Sequence, residues 1–214
     1  MGRADALAPL LAALRSLVGW LRARRTRGVI VGGVAASLLG RPRLTADIDA
    51  VVMLEDDEWG PFVEAGAGFG IVPRRADALD FARRSRVLLL RHDPSGIPLD
   101  VSVGALPFEE EMIARARRHR LGSLAIPLPR PEDLLIMKAV AHRPRDVADI
   151  EAILAANPRI DVARVREVVR EFAAVLEAPE LSADLERLLA AVRVSRPRRR
   201  AGSPPSRTRR PRAR

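Results

Sequence analysis

Leucines at helical spacing, Leu7, Leu10, Leu11, Leu14, Leu17 and Leu21, fill the first stretch of the chain, and at Gly28 the pattern changes to short apolar β runs. A chain that changes period in this way buries amphipathic helices against a sheet. The spacing predicts a helix over about residues 5–25, then a β run over 28–31. Gly32-Gly33 ends that run, and a helical turn over 34–39 follows, stopping at Gly40. A strand over 45–54 and a helix over 56–66, with Trp59, Phe62 and Val63 on one face, come next. Apolar runs at 86–91 and 97–103 flank His92-Asp93-Pro94-Ser95-Gly96, whose Pro and Gly are turn chemistry, so a hairpin is expected. Residues 107–120 read as one helix, with Glu109, Glu110 and Glu111 at its start and Arg115, Arg117 and Arg118 at its end, a polarity that complements the helix dipole. A short strand over 124–128 precedes helices over 131–142, 144–156, 161–176 and 182–192. Pro131 and Pro144 suit first-turn positions. The order fits an α/β core carrying a C-terminal helical layer, divided as an N-terminal helix (1–27), a core (28–130), a helical region (131–194) and a tail (195–214).

Charge is distributed unevenly. The net charge is +10, but residues 195–214 hold nine Arg and no acid, while residues 1–194 carry 28 basic against 27 acidic side chains. The tail has four Pro and no apolar periodicity, so disorder is expected of it, and either salt-sensitive affinity for polyanions or no function beyond solubility. With no cysteine, disulfides and thiolate metal sites are excluded. Residues 1–27 interleave Leu and Ala with Arg and lack the apolar region of a signal peptide. No run of eighteen uncharged apolar residues occurs, so a cytoplasmic protein with no membrane partner is expected.

Three features carry chemistry. Gly32-Gly33, between a strand and a helical turn, allows backbone N–H groups to approach a phosphate, although a glycine pair at a strand end is more often a turn. Neither a Walker A loop nor a dinucleotide fingerprint is present. Asp47-Ile48-Asp49 lies in a β run, so both acids project to one side while Ile48 points inward. Adjacent carboxylates repel unless a cation lies between them, and Mg²⁺ suits such a site, against the plainer reading of a solvated strand end. Asp100 stands in an otherwise apolar strand, where burial is costly. It would complete a three-carboxylate cluster if the hairpin lay beside the Asp47 strand, and otherwise would face solvent from an edge.

Taken together, Val31-Gly-Gly-Val-Ala-Ala, then Asp47-Ile-Asp49, then Asp100, resembles the DNA polymerase β-type nucleotidyltransferase superfamily. More narrowly, Arg43-Leu-Thr45-Ala-Asp-Ile-Asp49, the segment from Ile126 to Lys138, and Arg143-Pro-Arg-Asp146-Val-Ala-Asp149 look like the AbiEii-like abortive-infection branch. The resemblance covers roughly residues 28–156. It implies an α+β nucleotidyltransferase fold, a small mixed twisted β-sheet with helices packed on one side and a C-terminal helical layer. It also implies transfer of an NMP from an NTP to an acceptor hydroxyl with Mg²⁺ (two ions, or Mn²⁺ in their place), often in the toxin of a toxin–antitoxin pair. The acceptor is left open between RNA (tRNA 3′ ends in particular), a protein and a small molecule, and an antitoxin protein is an expected partner. The rival reading is a catalytically inactive nucleotide- or nucleic-acid-binding module of the same fold.

Carried over by position, Asp47, Asp49 and Asp100 would be catalytic and metal-binding. Gly32, Gly33, Arg43, Thr45 and Lys138 would belong to the nucleotide site, with Asp146 and Asp149 nearby. Many relatives have Ser where Gly33 stands. Lys138 is the only lysine beside 36 arginines, and a compact ammonium suits a phosphate oxygen. Arg43 would assist the phosphates or simply be solvated. His92, His119 and His142 show no metal-ligand spacing and are expected at the surface.

Overall fold

The computed structural model describes residues 3–195, with side chains from 7 to 192. The tail expected to be disordered therefore falls outside the described residues, save Ser195. Helix α1 (Arg3–Ala23) buries Ala13, Leu14, Leu17, Trp20 and Leu21 at i, i+3, i+4 spacing, while Leu7 at its outer end is left exposed. Strand β1 (Gly28–Ile30), helix α2 (Gly32–Leu39), strand β2 (Ile48–Val52), helix α3 (Trp59–Gly66) and strand β3 (Ile71–Pro73) follow. Helix α4 (Ala78–Ser85) leads into the hairpin β4 (Val87–His92) and β5 (Ile97–Val103), which turns through the expected Pro and Gly. After helix α5 (Pro107–Ala114) and a second hairpin, β6 (Arg117–Leu121) with β7 (Leu124–Leu128), come α6 (Pro131–Ala141), α7 (Pro144–Ala156), α8 (Val162–Val175) and α9 (Glu180–Ser195).

The main sheet has the order β1-β2-β5-β4-β3, with β2 and β5 parallel and the other neighbours antiparallel. Alternation along the strands separates its two faces. Ile30, Ile48, Ala50, Val52, Leu99, Val101 and Val103 enter the principal core, where α1 and α3 meet with Trp20 stacked on Phe62 at 4.0 Å between ring centroids. On the opposite face Val29, Val31 and Val51 are covered by Met112 and Ile113 of α5. The helices are thus not confined to one side, as the resemblance had implied. Beyond Val51 that second face carries Asp49 and, from β5, Asp100, both only partly buried. Helices α6 to α9 gather their own apolar cluster around Leu135, Ile150, Val165, Leu181 and Leu185, and α6 and α7 pack on α2.

Three further expectations need correcting. The helix expected over 107–120 ends at Ala114, and Arg117, Arg118 and His119 belong to β6, paired with β7. The basic run has no apolar stripe to bury as a helix, whereas backbone pairing to β7 asks nothing of its side chains. The strand expected over 45–54 spans only five residues, so Asp47 lies just ahead of it. Residues 71–73 and 78–85 form β3 and α4, both too short or too polar to announce themselves. His92 is 4% exposed, because the inward positions of β4 are 88, 90 and 92. Its ring is hydrogen-bonded to Ser16 Oγ at 3.0 Å and Ser95 Oγ at 2.6 Å, and burial lowers its pKa.

Candidate active site

The second face of the sheet opens into a cleft of about 230 Å³. Its floor is β2 and β5, whose parallel register sets Asp49 directly opposite Asp100. Adjacent strands are about 4.8 Å apart, so two carboxylates at one level on one face lie within reach of one ligand. Asp47, two residues before Asp49, lines the same cleft. Thr45 Oγ1 donates to Asp47 Oδ1 at 2.9 Å, and the Arg74 guanidinium donates to Asp100 Oδ1. As these side chains are placed, no group of three or more His, Cys, Asp or Glu among the described residues is gathered tightly enough to hold a metal ion.

Electrostatics nevertheless mark the cluster. Burial raises the Asp49 pKa, the negative charges of Asp47 and Asp100 raise it further, and the Gly33 N–H and Arg145 oppose them. A cation among the three would relieve this repulsion, and an all-oxygen donor set fits a hard ion such as Mg²⁺.

The wall opposite begins at the end of β1. Gly32 has φ +58°, and a Cβ there would stand 1.7 Å from Asp49 Oδ2, so only glycine permits both the turn and the close approach of Asp49. A Cβ added at Gly33 would come within 2.5 Å of Thr45 Oγ1. The N-terminus of α2 thus faces the carboxylates with its backbone donors.

Lys138 lines the cleft from α6, but its ammonium is already engaged. It donates to Asp146 Oδ1 at 2.8 Å and contacts Asp149 Oδ2 at 2.7 Å, with all three side chains under 10% exposed. Arg43 closes the network by donating to both oxygens of Asp149 at 2.9 Å. Burial alone would raise the Asp149 pKa, but the hydrogen bonds from Arg43 and Lys138 outweigh it and the pKa falls. Asp149 therefore stands behind the cleft wall, while Gly32, Gly33, Arg43, Thr45, Asp47, Asp49, Asp100, Lys138 and Asp146 line it. The sequence reading missed Arg74, Glu109, Arg143 and Arg145. Arg143 and Arg145 were legible as cations inside the Arg-Pro-Arg-Asp segment, whereas Arg74 lies in a stretch without periodicity.

A mixed five-stranded sheet with two acids paired across parallel strands, facing a glycine turn at a helix start, is the architecture of a nucleotidyltransferase. The chain belongs to the family described as "Nucleotidyltransferase of unknown function (DUF6036)", whose profile matches residues 7–187. No curated protein matches it. Among solved structures it is similar to the antibiotic-resistance factor ANT(2'')-Ia in solution, at 14% identity and TM-score 0.54, covering 80% of this chain and 95% of that one. It is also similar to an antigenic nucleotidyltransferase-like protein from Paracoccidioides brasiliensis (17% identity, TM-score 0.49, 82% and 92% covered). A crystal structure of ANT(2'')-Ia with adenylyl-2''-tobramycin matches at 18% identity and TM-score 0.45, with 86% and 98% covered. At these identities the likeness concerns the fold, and only the first of the three supports it.

Proposed function

We propose that the cleft binds a nucleoside triphosphate, ATP among them, and transfers its NMP to an acceptor hydroxyl. The observation that carries this reading is the level pairing of Asp49 with Asp100 across β2 and β5, with Asp47 beside them and Gly32-Gly33 opposite. Asp47 and Asp49 would hold Mg²⁺, joined by Asp100 once released from Arg74, and the ion would supply charge neutralisation and Lewis acidity at the phosphates. The chain's own groups do the rest. Backbone donors at Gly32 and Gly33 and the cations Arg143 and Arg145 receive the triphosphate. Asp100 orients the acceptor hydroxyl and accepts its proton as the acceptor oxygen bonds to the α-phosphorus. The bond from that phosphorus to the bridging oxygen breaks and pyrophosphate leaves. Lys138 braces Asp146 at the cleft wall and Asp149 behind it.

The segments around Arg43–Asp49, Ile126–Lys138 and Arg143–Asp149 support the AbiEii-like branch, and with it a toxin held in check by an antitoxin protein. A second reading, a binding module of the same fold without catalysis, is favoured by one observation: Arg74 occupies the Asp100 carboxylate. Incubation with Mg²⁺ and each α-³²P-labelled NTP, with RNA, protein and small-molecule acceptors in separate tubes, decides between them. Label transferred by the wild type and not by Asp47→Ala/Asp49→Ala supports the enzyme and identifies the acceptor class. NTP binding without transfer to any acceptor supports the module.

A further inference from the structure

Away from the carboxylates lies a larger groove, about 700 Å³, formed by the end of α1, the start of β1, the end of α5 and the β6–β7 hairpin. Six arginines line it, Arg15, Arg22, Arg25, Arg27, Arg117 and Arg118, all exposed, and among the described residues no acid does. Arg27 alone has an ion-pair partner among the described residues, the exposed Glu110 at 3.6 Å. This is segregation of charge, not a sample of a basic body, since the other 22 basic residues of segment 1–194 face 27 acids. Five cations without counter-charges, held in one concave surface, repel one another and are relieved by a polyanion.

We propose that this groove binds the phosphodiester backbone of RNA. No aromatic side chain lines it, so bases have nothing to stack on and contact falls on phosphates, independent of sequence. A lipid surface fits less well, because the groove is concave and Leu121, at the tip of the β6–β7 hairpin, is the one large exposed hydrophobic of that hairpin. Two elements run from this groove to the cleft. Gly28 opens β1 in the groove and Val31 follows its end in the cleft, a span of about 10 Å at roughly 3.3 Å per residue. Helix α5 likewise presents Glu109 to the cleft and Ile113 to the groove. The groove therefore holds the body of an RNA whose end reaches the carboxylates; that link, unlike the binding itself, rests on the nucleotidyl transfer proposed above.

The test is fluorescence anisotropy of a labelled RNA hairpin, with duplex DNA and phosphatidylglycerol vesicles as parallel arms, against the full chain. Arg22→Ala/Arg25→Ala/Arg117→Ala/Arg118→Ala is compared with Arg75→Ala/Arg83→Ala/Arg84→Ala/Arg91→Ala, which removes the same charge from the other end of the sheet. The groove variant is expected to bind RNA at least tenfold more weakly, with a salt slope shallower by about 3–4, while the control keeps the wild-type slope. Equal losses in both variants, an unchanged groove variant, or a loss confined to DNA or to vesicles would overturn the proposal. Asp47→Ala/Asp49→Ala is expected to retain RNA binding, so failure of transfer and failure of the groove are read separately.

Discussion

Replacing Lys138 with methionine keeps most of the side-chain volume and removes the charge between two buried carboxylates. Asp149 would still have Arg43 on both oxygens, whereas Asp146 would keep only the Arg143 backbone N–H at 3.3 Å. Removing one partner of a buried ion pair costs about 3–5 kcal/mol, and the surviving Arg43 pair points to the lower end, about 3 kcal/mol. For a domain of this size that lowers Tm by about 6–12 °C. Urea denaturation of wild type and Lys138→Met measures it. A loss below about 1 kcal/mol, accompanied by a tenfold or larger loss of NTP affinity, would refute the bracing role and make Lys138 a direct phosphate ligand.

Asp49 should trade stability for function. Its pKa is raised by burial and then by Asp47 and Asp100, so the metal-free fold is favoured at low pH and loses stability as pH rises from the unfolded value of about 4 through the raised folded one. Asp49→Asn should remove that decline, melting higher than wild type at pH 7 in chelator while losing transfer by about 10²–10³-fold; parallel melting curves across pH would contradict this. Gly32→Ala puts a Cβ at φ +58° against the whole Asp49 side chain and should cost about 1–3 kcal/mol. Its NTP transfer should fall as far as that of Asp49→Asn, and a variant with full activity would show that Asp49 has no fixed position to lose.

The parts legible in the sequence were those with local signatures. The period change at Gly28, the Pro and Gly of the β4–β5 turn and the prolines that start α6 and α7 each act within a few residues, and the structure has those elements. Strand parity put Ile48 in the core and Asp49 on the other face, but the pairing of Asp49 with Asp100 depends on β2 and β5 lying parallel, a contact across fifty residues that no local pattern encodes. The β6 strand was misread because its three arginines match a helix C-terminus equally well, and only the partner strand decides. Lys138 stood out as a lone lysine, yet its partners Asp146 and Asp149 became visible only when α6 and α7 packed side by side.

The claim that the cleft performs nucleotidyl transfer is tested most directly by comparing [α-³²P]ATP with [γ-³²P]ATP in the presence of Mg²⁺ and the acceptor fraction that takes up label. The account predicts that label passes to acceptor from the α position only, with one pyrophosphate released per transfer, and that Asp47→Ala/Asp49→Ala abolishes both. Label passing from the γ position, or transfer that survives the loss of both acids, would contradict it.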